Sequence, residues 1–177
     1  MTPPRMKIDL ALNKYLYALG EEVEGALSVV SDEVVDSDET RLEFTCVESN
    51  KVRKRVYDPS LKREVETEVW ETTVLHNQKI TLSGPLHFEP GSAATFKFSF
   101  TIPLTLPPTI KSALRKVEYR VKGVVAVRGR PDATSRTIEI SVAEPGVVKR
   151  NVKCSYCGTI YPEDLPNCPH CGAPRTR

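Results

Sequence analysis

The sequence predicts an all-β protein built on a two-layer sandwich. Apolar and polar residues alternate in several short stretches, turn signals separate these stretches, and none has the 3.6-residue period of an amphipathic helix. The most regular stretch is residues 94–102, where apolar side chains at even positions alternate with polar ones. Three of its phenylalanines share one face, and burying them requires a second sheet about 10 Å away. We therefore predict that this strand is central to a sandwich.

The strands before this stretch are predicted from the same alternation. Residues 7–13 and residues 23–29 indicate two strands that lie together in the sandwich. Residues 31–40 are acidic and turn-rich, and residues 41–46 then place Cys46 on an apolar strand face. Cys46 is therefore interpreted as a core residue rather than a reactive thiol.

Residues 49–63 break the alternation. Six lysines and arginines surround a turn signal at Asp58, Pro59 and Ser60, which predicts an exposed hairpin or loop. Two interpretations stay open for the basic residues of 51–63. They form a solvated loop, or they form a contact surface for an acidic partner or an anionic membrane face.

The remaining strands follow in order. Residues 65–82 regain a strand-like composition before the turn at Gly84 and Pro85, and residues 117–127 and 138–142 alternate again. Between them, residues 103–108 contain three prolines, which lack the amide that a β-ladder needs. We interpret this segment as a rigid connector, with an extended proline-type ligand as the alternative.

Composition limits the classes of protein. The 177 residues, 40% hydrophobic and 27% charged, allow one full core and a small appendage. The net charge of +2 does not by itself imply a nucleic-acid partner. There is no apolar run of about 18 residues and no signal-peptide pattern, which predicts a cytoplasmic protein without a transmembrane segment.

Three motifs carry a resemblance to a known family. They are GEEVEG at residues 20–25, FKFSFTIP at residues 96–103 followed by LPPT at residues 106–109, and VEYRV at residues 117–121. Residues 7–142 resemble the N-terminal domain of the arrestin superfamily, which includes trafficking adaptors, a retromer subunit and bacterial sporulation-control proteins. The resemblance implies an arrestin-like, immunoglobulin-like β-sandwich that acts as a non-catalytic interaction scaffold.

The sequence also departs from that family. Family members typically have two tandem sandwiches, whereas this chain has room for one. The first strand offers only Arg5 and Lys7 where classical arrestins carry a phosphate-sensing lysine pair. The Pro-Pro-x-Tyr ligase ligand of many members is absent, since Thr109 and Ile110 follow the prolines.

The last 25 residues contain a second motif. Cys154 and Cys157 form one C-x-x-C pair, Cys168 and Cys171 form another, and a glycine follows each pair. Two such turns can aim four thiolates at one ion, which predicts a single structural zinc ion. The tail resembles zinc ribbons with knuckles of the Cys-Pro-x-Cys-Gly type. So short a segment buries too little surface to fold alone, so we expect the metal to stabilise it.

Alternatives remain open at this site. The cysteines could form two disulfides, or iron could replace zinc. His170 is interpreted as a solvent-facing spacer, because four cysteines already complete the ligand set. A full set of thiolates leaves no position for a catalytic water. His76 and His87 lie far apart and belong to no nucleophile motif, so we expect no enzyme activity.

These observations give a domain organisation and a function. We predict a sandwich over residues 1–143, a linker over 144–152, and a four-cysteine zinc ribbon with a short basic tail over 153–177. The predicted function is a cytoplasmic adaptor that docks a protein partner, with peripheral membrane contact open and the oligomeric state undetermined. The alternative is nucleic-acid binding through the ribbon and its flanking cations, which are Lys149, Arg150, Lys153, Arg175 and Arg177.

Overall fold

The computed structural model describes residues 2–146, 151–163 and 165–175, and every helix or strand in this part of the chain is a β-strand. The absence of helices there agrees with the predicted all-β class. The strands are β1 (Met6–Leu12), β2 (Leu16–Ala18), β3 (Glu22–Ser31), β4 (Val35–Asp58), β5 (Arg63–Ser83), β6 (Leu86–Phe88), β7 (Ala93–Thr101), β8 (Ile110–Lys111), β9 (Arg115–Val127), β10 (Ala133–Thr134), β11 (Ile138–Ala143), β12 (Asn151–Lys153) and β13 (Ile160–Pro162).

Two sheets form the sandwich. The smaller sheet has the order β1-β3-β7, and all of its pairings are antiparallel. The larger sheet has the order β2-β11-β9-β4-β5, and β6, β8 and β10 add short pairings to β4 and β9. The predicted association of the first two strands is confirmed, because β1 pairs with β3 from Met6 opposite Ser31 to Leu12 opposite Gly25.

The core lies between these sheets. Leu10 and Leu27 of the smaller sheet, and Leu42 and Phe44 of the larger one, have no exposed surface. Across the two layers, the Phe44 and Phe100 rings have centroids 4.8 Å apart. Burying one such leucine or phenylalanine stabilises the fold by about 1.5–3 kcal/mol, so apolar burial between the layers holds the sandwich together.

The phenylalanine strand lies within one residue of the predicted span and buries one face, as predicted. β7 buries Phe98 and Phe100, and it half-buries Phe96. However, β7 is an edge strand of the smaller sheet rather than its middle strand. Alternation of side chains reports which face is buried, whereas strand order depends on partners distant in sequence.

The β4–β5 hairpin is longer than the sequence indicates. The turn-rich stretch predicted over residues 31–40 is a short turn, because β4 already begins at Val35. For residues 49–63, the hairpin alternative is confirmed. The Asp58 carboxylate closes its turn by accepting hydrogen bonds from the amides of Ser60 (2.8 Å) and Leu61 (3.2 Å).

The closed end of this hairpin extends beyond the other strands. The pairing of β4 with β9 ends at Asn50 opposite Arg115, whereas the pairing of β4 with β5 continues to Asp58 opposite Arg63. We call residues 51–70 the arm. The arm is a two-stranded ribbon on which no third strand is paired within the residues that the structure describes.

Cys46 and strand β2 are two further features of the sandwich. Cys46 has no exposed surface, and burial raises the pKa of its thiol, so its interpretation as a core residue is confirmed. Strand β2, which the sequence analysis missed, runs parallel to β11, with Leu16 opposite Ser141. No helix in the described residues is long and apolar enough to cross a membrane.

Candidate metal centre

The cysteine-rich tail forms a small unit of its own, which we call the ribbon (residues 151–175). Strands β12 and β13 pair antiparallel, with Val152 opposite Tyr161. The first C-x-x-C pair lies in the connection between them. A second, shorter pairing joins Asn167 to Pro174 and brackets the other C-x-x-C pair. Each pair of cysteines is therefore held at the closed end of a hairpin.

The two knuckles have the same backbone geometry. The amide of Gly158 donates to the carbonyl of Cys154 (3.0 Å), and the amide of Gly172 donates to the carbonyl of Cys168 (2.9 Å). Both glycines have a positive φ, +76° and +73°. Glycine adopts this conformation at no steric cost, so the glycine after each pair lets the chain turn tightly behind the sulfurs.

The four sulfurs face one another. The Sγ atoms of Cys154 and Cys171 are 3.7 Å apart, those of Cys157 and Cys168 are 3.6 Å apart, and all four lie within 4.8 Å of one another. A tetrahedron of sulfurs bound to zinc at about 2.3 Å has edges of about 3.8 Å, whereas a disulfide requires about 2.05 Å. The four cysteines therefore lie close enough to hold one metal ion, and none forms a disulfide.

The electrostatics of the cluster also fit a cation. Hydrogen bonds from the Thr159 hydroxyl and amide lower the pKa of Cys157 to about 5. Backbone hydrogen bonds of Cys157 and Tyr156 lower the pKa of Cys154. An Ala173 backbone hydrogen bond lowers the pKa of Cys171, but desolvation and the neighbouring sulfurs outweigh it and raise the pKa to about 12. Four thiolates so close together repel one another, and a divalent cation would offset that repulsion.

His170 lies beside this cluster. Its side chain is half-buried, so it is less exposed than the predicted solvent-facing spacer. The His170 ring also contributes to the low pKa of Cys157. The group of metal-ligating side chains that the described residues bring together contains only the four cysteines.

The described residues of the ribbon form their own apolar centre. Tyr161 is buried with Cys154 and Cys168, separately from the sandwich core. Lys14 forms a single parallel bridge with Ile160. The Arg136 guanidinium donates to the His170 carbonyl at 3.4 Å, a long hydrogen bond. These contacts place the ribbon beside Lys14 and Arg136, and the described residues of the two units form separate apolar clusters.

Comparison with known proteins identifies the family. The family model "Arrestin (or S-antigen), N-terminal domain" matches residues 6–145. This chain belongs to the arrestin family. Among solved structures, the sporulation control protein Spo0M of Bacillus subtilis is similar, with 25% sequence identity and a TM-score of 0.55. The match covers 78% of this chain and 49% of Spo0M, so this chain corresponds to about half of that protein. No curated protein matches this sequence.

Membership of the arrestin family directs attention to the sandwich as well as to the ribbon. Arg5, near the start of β1, forms an ion pair with Glu33 at 3.5 Å, while Lys7 is exposed. His76 packs edge-on against Phe44, with centroids 5.6 Å apart. His87 lies in β6, on the larger sheet. None of these residues belongs to the cysteine cluster.

The charge pattern of the arm was not predicted from the sequence. Register places Arg53 opposite Glu68 and Arg55 opposite Glu66, so one strand of the arm is basic and the other acidic. The signal was present as two runs of opposite charge on either side of the Asp58 turn. The basic run was assigned to an exposed hairpin but was not paired with the acidic run, so the alternation of charge across the two strands was not recognised.

Proposed function

We propose that this protein is a non-enzymatic adaptor, in which the sandwich docks a protein partner and the ribbon supplies an auxiliary contact. The arrestin-family match over residues 6–145 carries this proposal. Arrestin-like folds generally mediate protein interaction or regulation, and they are generally non-enzymatic. A role in trafficking, as in several family members, and a cytoplasmic location are parts of the same proposal.

The ribbon has a structural role in this proposal. Cys154, Cys157, Cys168 and Cys171 would each contribute one thiolate to a zinc ion, which would fill the coordination shell. The ion would fix the two knuckles against each other, because the ribbon buries too few apolar residues to be stable alone. In the reducing cytoplasm, the thiols would stay available for the metal.

The ribbon also offers apolar surface. Tyr156, in the first knuckle, is 69% exposed, and Ile160 at the start of β13 is 40% exposed. Exposed aromatic side chains are common anchors in protein interfaces. With the ion in place these side chains would be presented rigidly, which lowers the entropy cost of binding.

The domain organisation belongs to the proposal as well. We propose two modules, a sandwich over residues 1–143 and a ribbon over residues 153–177, joined by residues 144–152. The separate apolar clusters of the two units support this division. Strand β12 begins at Asn151, within the proposed linker.

Partner capture tests the adaptor proposal. Tagged full-length protein carrying a photo-crosslinker at Tyr156, and a second version with the crosslinker in the arm at Tyr57, would be irradiated in native lysate. We expect the same protein to be crosslinked repeatedly, and the exposed turn at Pro90 is the control position. Repeated failure to capture a protein, with a metabolite or nucleic acid co-purifying instead, would contradict the proposal.

The nucleic-acid alternative receives no support from the comparisons. Three of the cations on which it depends, Lys149, Arg150 and Arg177, lie outside the described residues. Arg175 donates to the Glu163 carbonyl. A mobility-shift titration at low salt tests this alternative directly, because phosphate contacts produce steep salt dependence.

A further inference from the structure

The arm has an open strand edge on its β4 side. The last contacts of β4 on that side are the pairing of Asn50 with Arg115 and a hydrogen bond from the Lys51 amide to the Leu114 carbonyl (2.8 Å). Beyond them, residues 52–58 pair only with β5 among the described residues. An edge of this kind presents unpaired amides and carbonyls that can accept another strand.

The side chains along this edge alternate between two faces of the arm. On one face, β4 contributes three cations, Lys51, Arg53 and Arg55, followed by Tyr57. The other face continues the inner face of the larger sheet and carries Val52 and Val56, with Lys54 between them paired to Glu71. A strand added here would meet a row of cations on one face and branched apolar side chains on the other.

Strand β5 shows which kind of strand pairs with the side chains of β4. It reads EVETEV over residues 64–69, and register places Arg53 opposite Glu68, Arg55 opposite Glu66, and Val56 opposite Val65. The nearest side-chain nitrogen–oxygen distance is 3.7 Å in both Arg–Glu pairs. One edge of β4 is therefore already occupied by an acidic strand with alternating branched residues. The other edge offers an incoming strand the same row of side chains.

The surroundings of the open edge add positive charge. Lys116, at the start of β9, lies over the Trp70 ring at 4.6 Å on the same face as Lys51. Arg115 is the first residue of β9, and its nearest acidic partner is Glu48, at 2.6 Å. A strand that continued the line of β9 along β4 would thus begin beside two cations and then extend along the basic row.

We propose that the open edge of β4, over residues 51–58, binds an extended acidic segment of a partner protein by strand addition. The segment has glutamate or aspartate at alternate positions and β-branched residues between them. Backbone hydrogen bonds would provide affinity, and the basic row would provide the selection for acidic strands. The proposal rests on the proposed function, because it names the chemistry of the partner that the adaptor docks.

Charge complementarity favours this occupant over two others. Two-fold pairing of the β4 edges of two copies would place Lys51, Arg53 and Arg55 against the same residues, which like-charge repulsion disfavours. An anionic membrane would attract the cations but leave the backbone edge unpaired. It would also meet the glutamates of β5, since Glu66 and Glu68 lie on the same face of the arm.

The probe for the test is a capped peptide with the sequence of residues 64–69, EVETEV, titrated into the full-length ¹⁵N-labelled protein. We expect saturable shifts of the amide signals of residues 51–57, and binding about tenfold weaker at high salt than at low salt, because ions screen the charge pairs. The peptide KVKTKV is the matched control and should not bind. Equal binding of both peptides, no binding, or shifts confined to the outer edge of β5 would overturn the proposal.

A variant with swapped charges on the arm separates loss of peptide binding from loss of folding. The variant K51E/R53E/R55E/E66R/E68R keeps opposite charges across β4 and β5, including at the Lys51–Glu68 ion pair, but reverses the row that faces the open edge. We expect an unchanged melting temperature, binding of EVETEV at least about tenfold weaker, and new binding of KVKTKV. Unchanged preference for EVETEV would contradict strand addition at this edge.

Two further measurements distinguish other occupants. Concentration-dependent self-association, measured by sedimentation equilibrium of the wild type and abolished in the charge-swapped variant, would assign the edge to the β5 strand of a second copy instead. Flotation with vesicles of phosphatidylserine and phosphatidylcholine, in the absence of peptide binding, would assign it to a membrane. If a captured partner crosslinks equally to wild-type and charge-swapped protein, this inference fails while the adaptor function stands.

Discussion

Cys154 and Cys171 belong to different knuckles, yet their sulfurs lie 3.7 Å apart, as close as two ligands on one tetrahedral ion. Strand β13 lies between the two knuckles along the chain, so this approach is a tertiary contact rather than a property of one C-x-x-C turn. An ion at this position would join the two knuckles.

Replacing Cys154 and Cys168 by serine should remove the bound metal and unfold the ribbon while the sandwich stays folded. The described residues of the ribbon and of the sandwich form separate apolar clusters, so we expect loss of one unit to leave the core of the other unchanged. Metal content by mass spectrometry and amide exchange in each unit are the measurements. Simultaneous loss of protection in β4 and β9 would contradict this independence, and Cys46→Ser serves as the control that should leave the metal in place.

Gly123→Ala should destabilise the sandwich by about 1–3 kcal/mol, as overpacking of a core does. A Cβ at this position would lie 2.3 Å from Cδ1 of Leu27, which packs from the opposite sheet. Chemical denaturation measures the change in unfolding free energy. Gly84→Ala is the matched control, since no atom lies within 4 Å of its added Cβ. Equal effects of the two substitutions would show that the Leu27 contact is unimportant.

Phe44→Ala should cost about 3–5 kcal/mol of unfolding free energy, the usual range for removing a buried aromatic side chain. The Phe44 ring contacts Phe100 across the sandwich and packs beside Tyr119 and His76. Its removal leaves a cavity where the two sheets meet. A much smaller loss in urea denaturation would mean that the layers close over the gap. Val74→Ala is the control, because Val74 is 59% exposed.

His87 should titrate above its ordinary range. Hydrogen bonds to Asp36 (2.7 Å) and then Glu89 (3.0 Å) raise the pKa of its imidazole. A raised pKa in the folded state means that protonated His87 stabilises the fold below the ordinary histidine pKa. This contribution is lost as the pH rises through the raised value. NMR titration of the ring protons checks the pKa, and the variant D36N/E89Q should return it toward the ordinary value. An unchanged pKa in that variant would contradict the assigned cause.

Part of the fold could be predicted from short-range pattern. Period-two alternation located β1, β3, β7, β9 and β11, because one wet and one dry face impose that period on any half-buried strand. The same pattern did not report that β7 lies at an edge, nor that β2 pairs parallel with β11. Contacts between residues far apart in sequence determine which strands are neighbours. The alternation within one strand does not indicate these contacts.

The closeness of four cysteines was predicted from the sequence, whereas the charge pattern of the arm was not. All four cysteines of the cluster were named from spacing, because a C-x-x-C turn positions its sulfurs within a few residues of chain. The register of β4 with β5 is needed to know on which face Trp70 lies. It is also needed to know that the basic and acidic runs pair with each other. That register includes a shift between Cys46 and Val47, which local sequence does not indicate.

By itself, the sequence determined that this protein is all-β, that its sandwich resembles the arrestin fold, and that four cysteines can meet at one point. The all-β class and the meeting of the cysteines depend on side-chain periodicity and on short spacings within a turn, which are local, whereas the resemblance rests on short motifs. Only the tertiary structure decided that β4 and β5 extend past β9 as an arm with an open basic edge. The reason is physical: where a neighbouring strand stops depends on the lengths of strands distant in sequence, and an edge exists only where pairing ends.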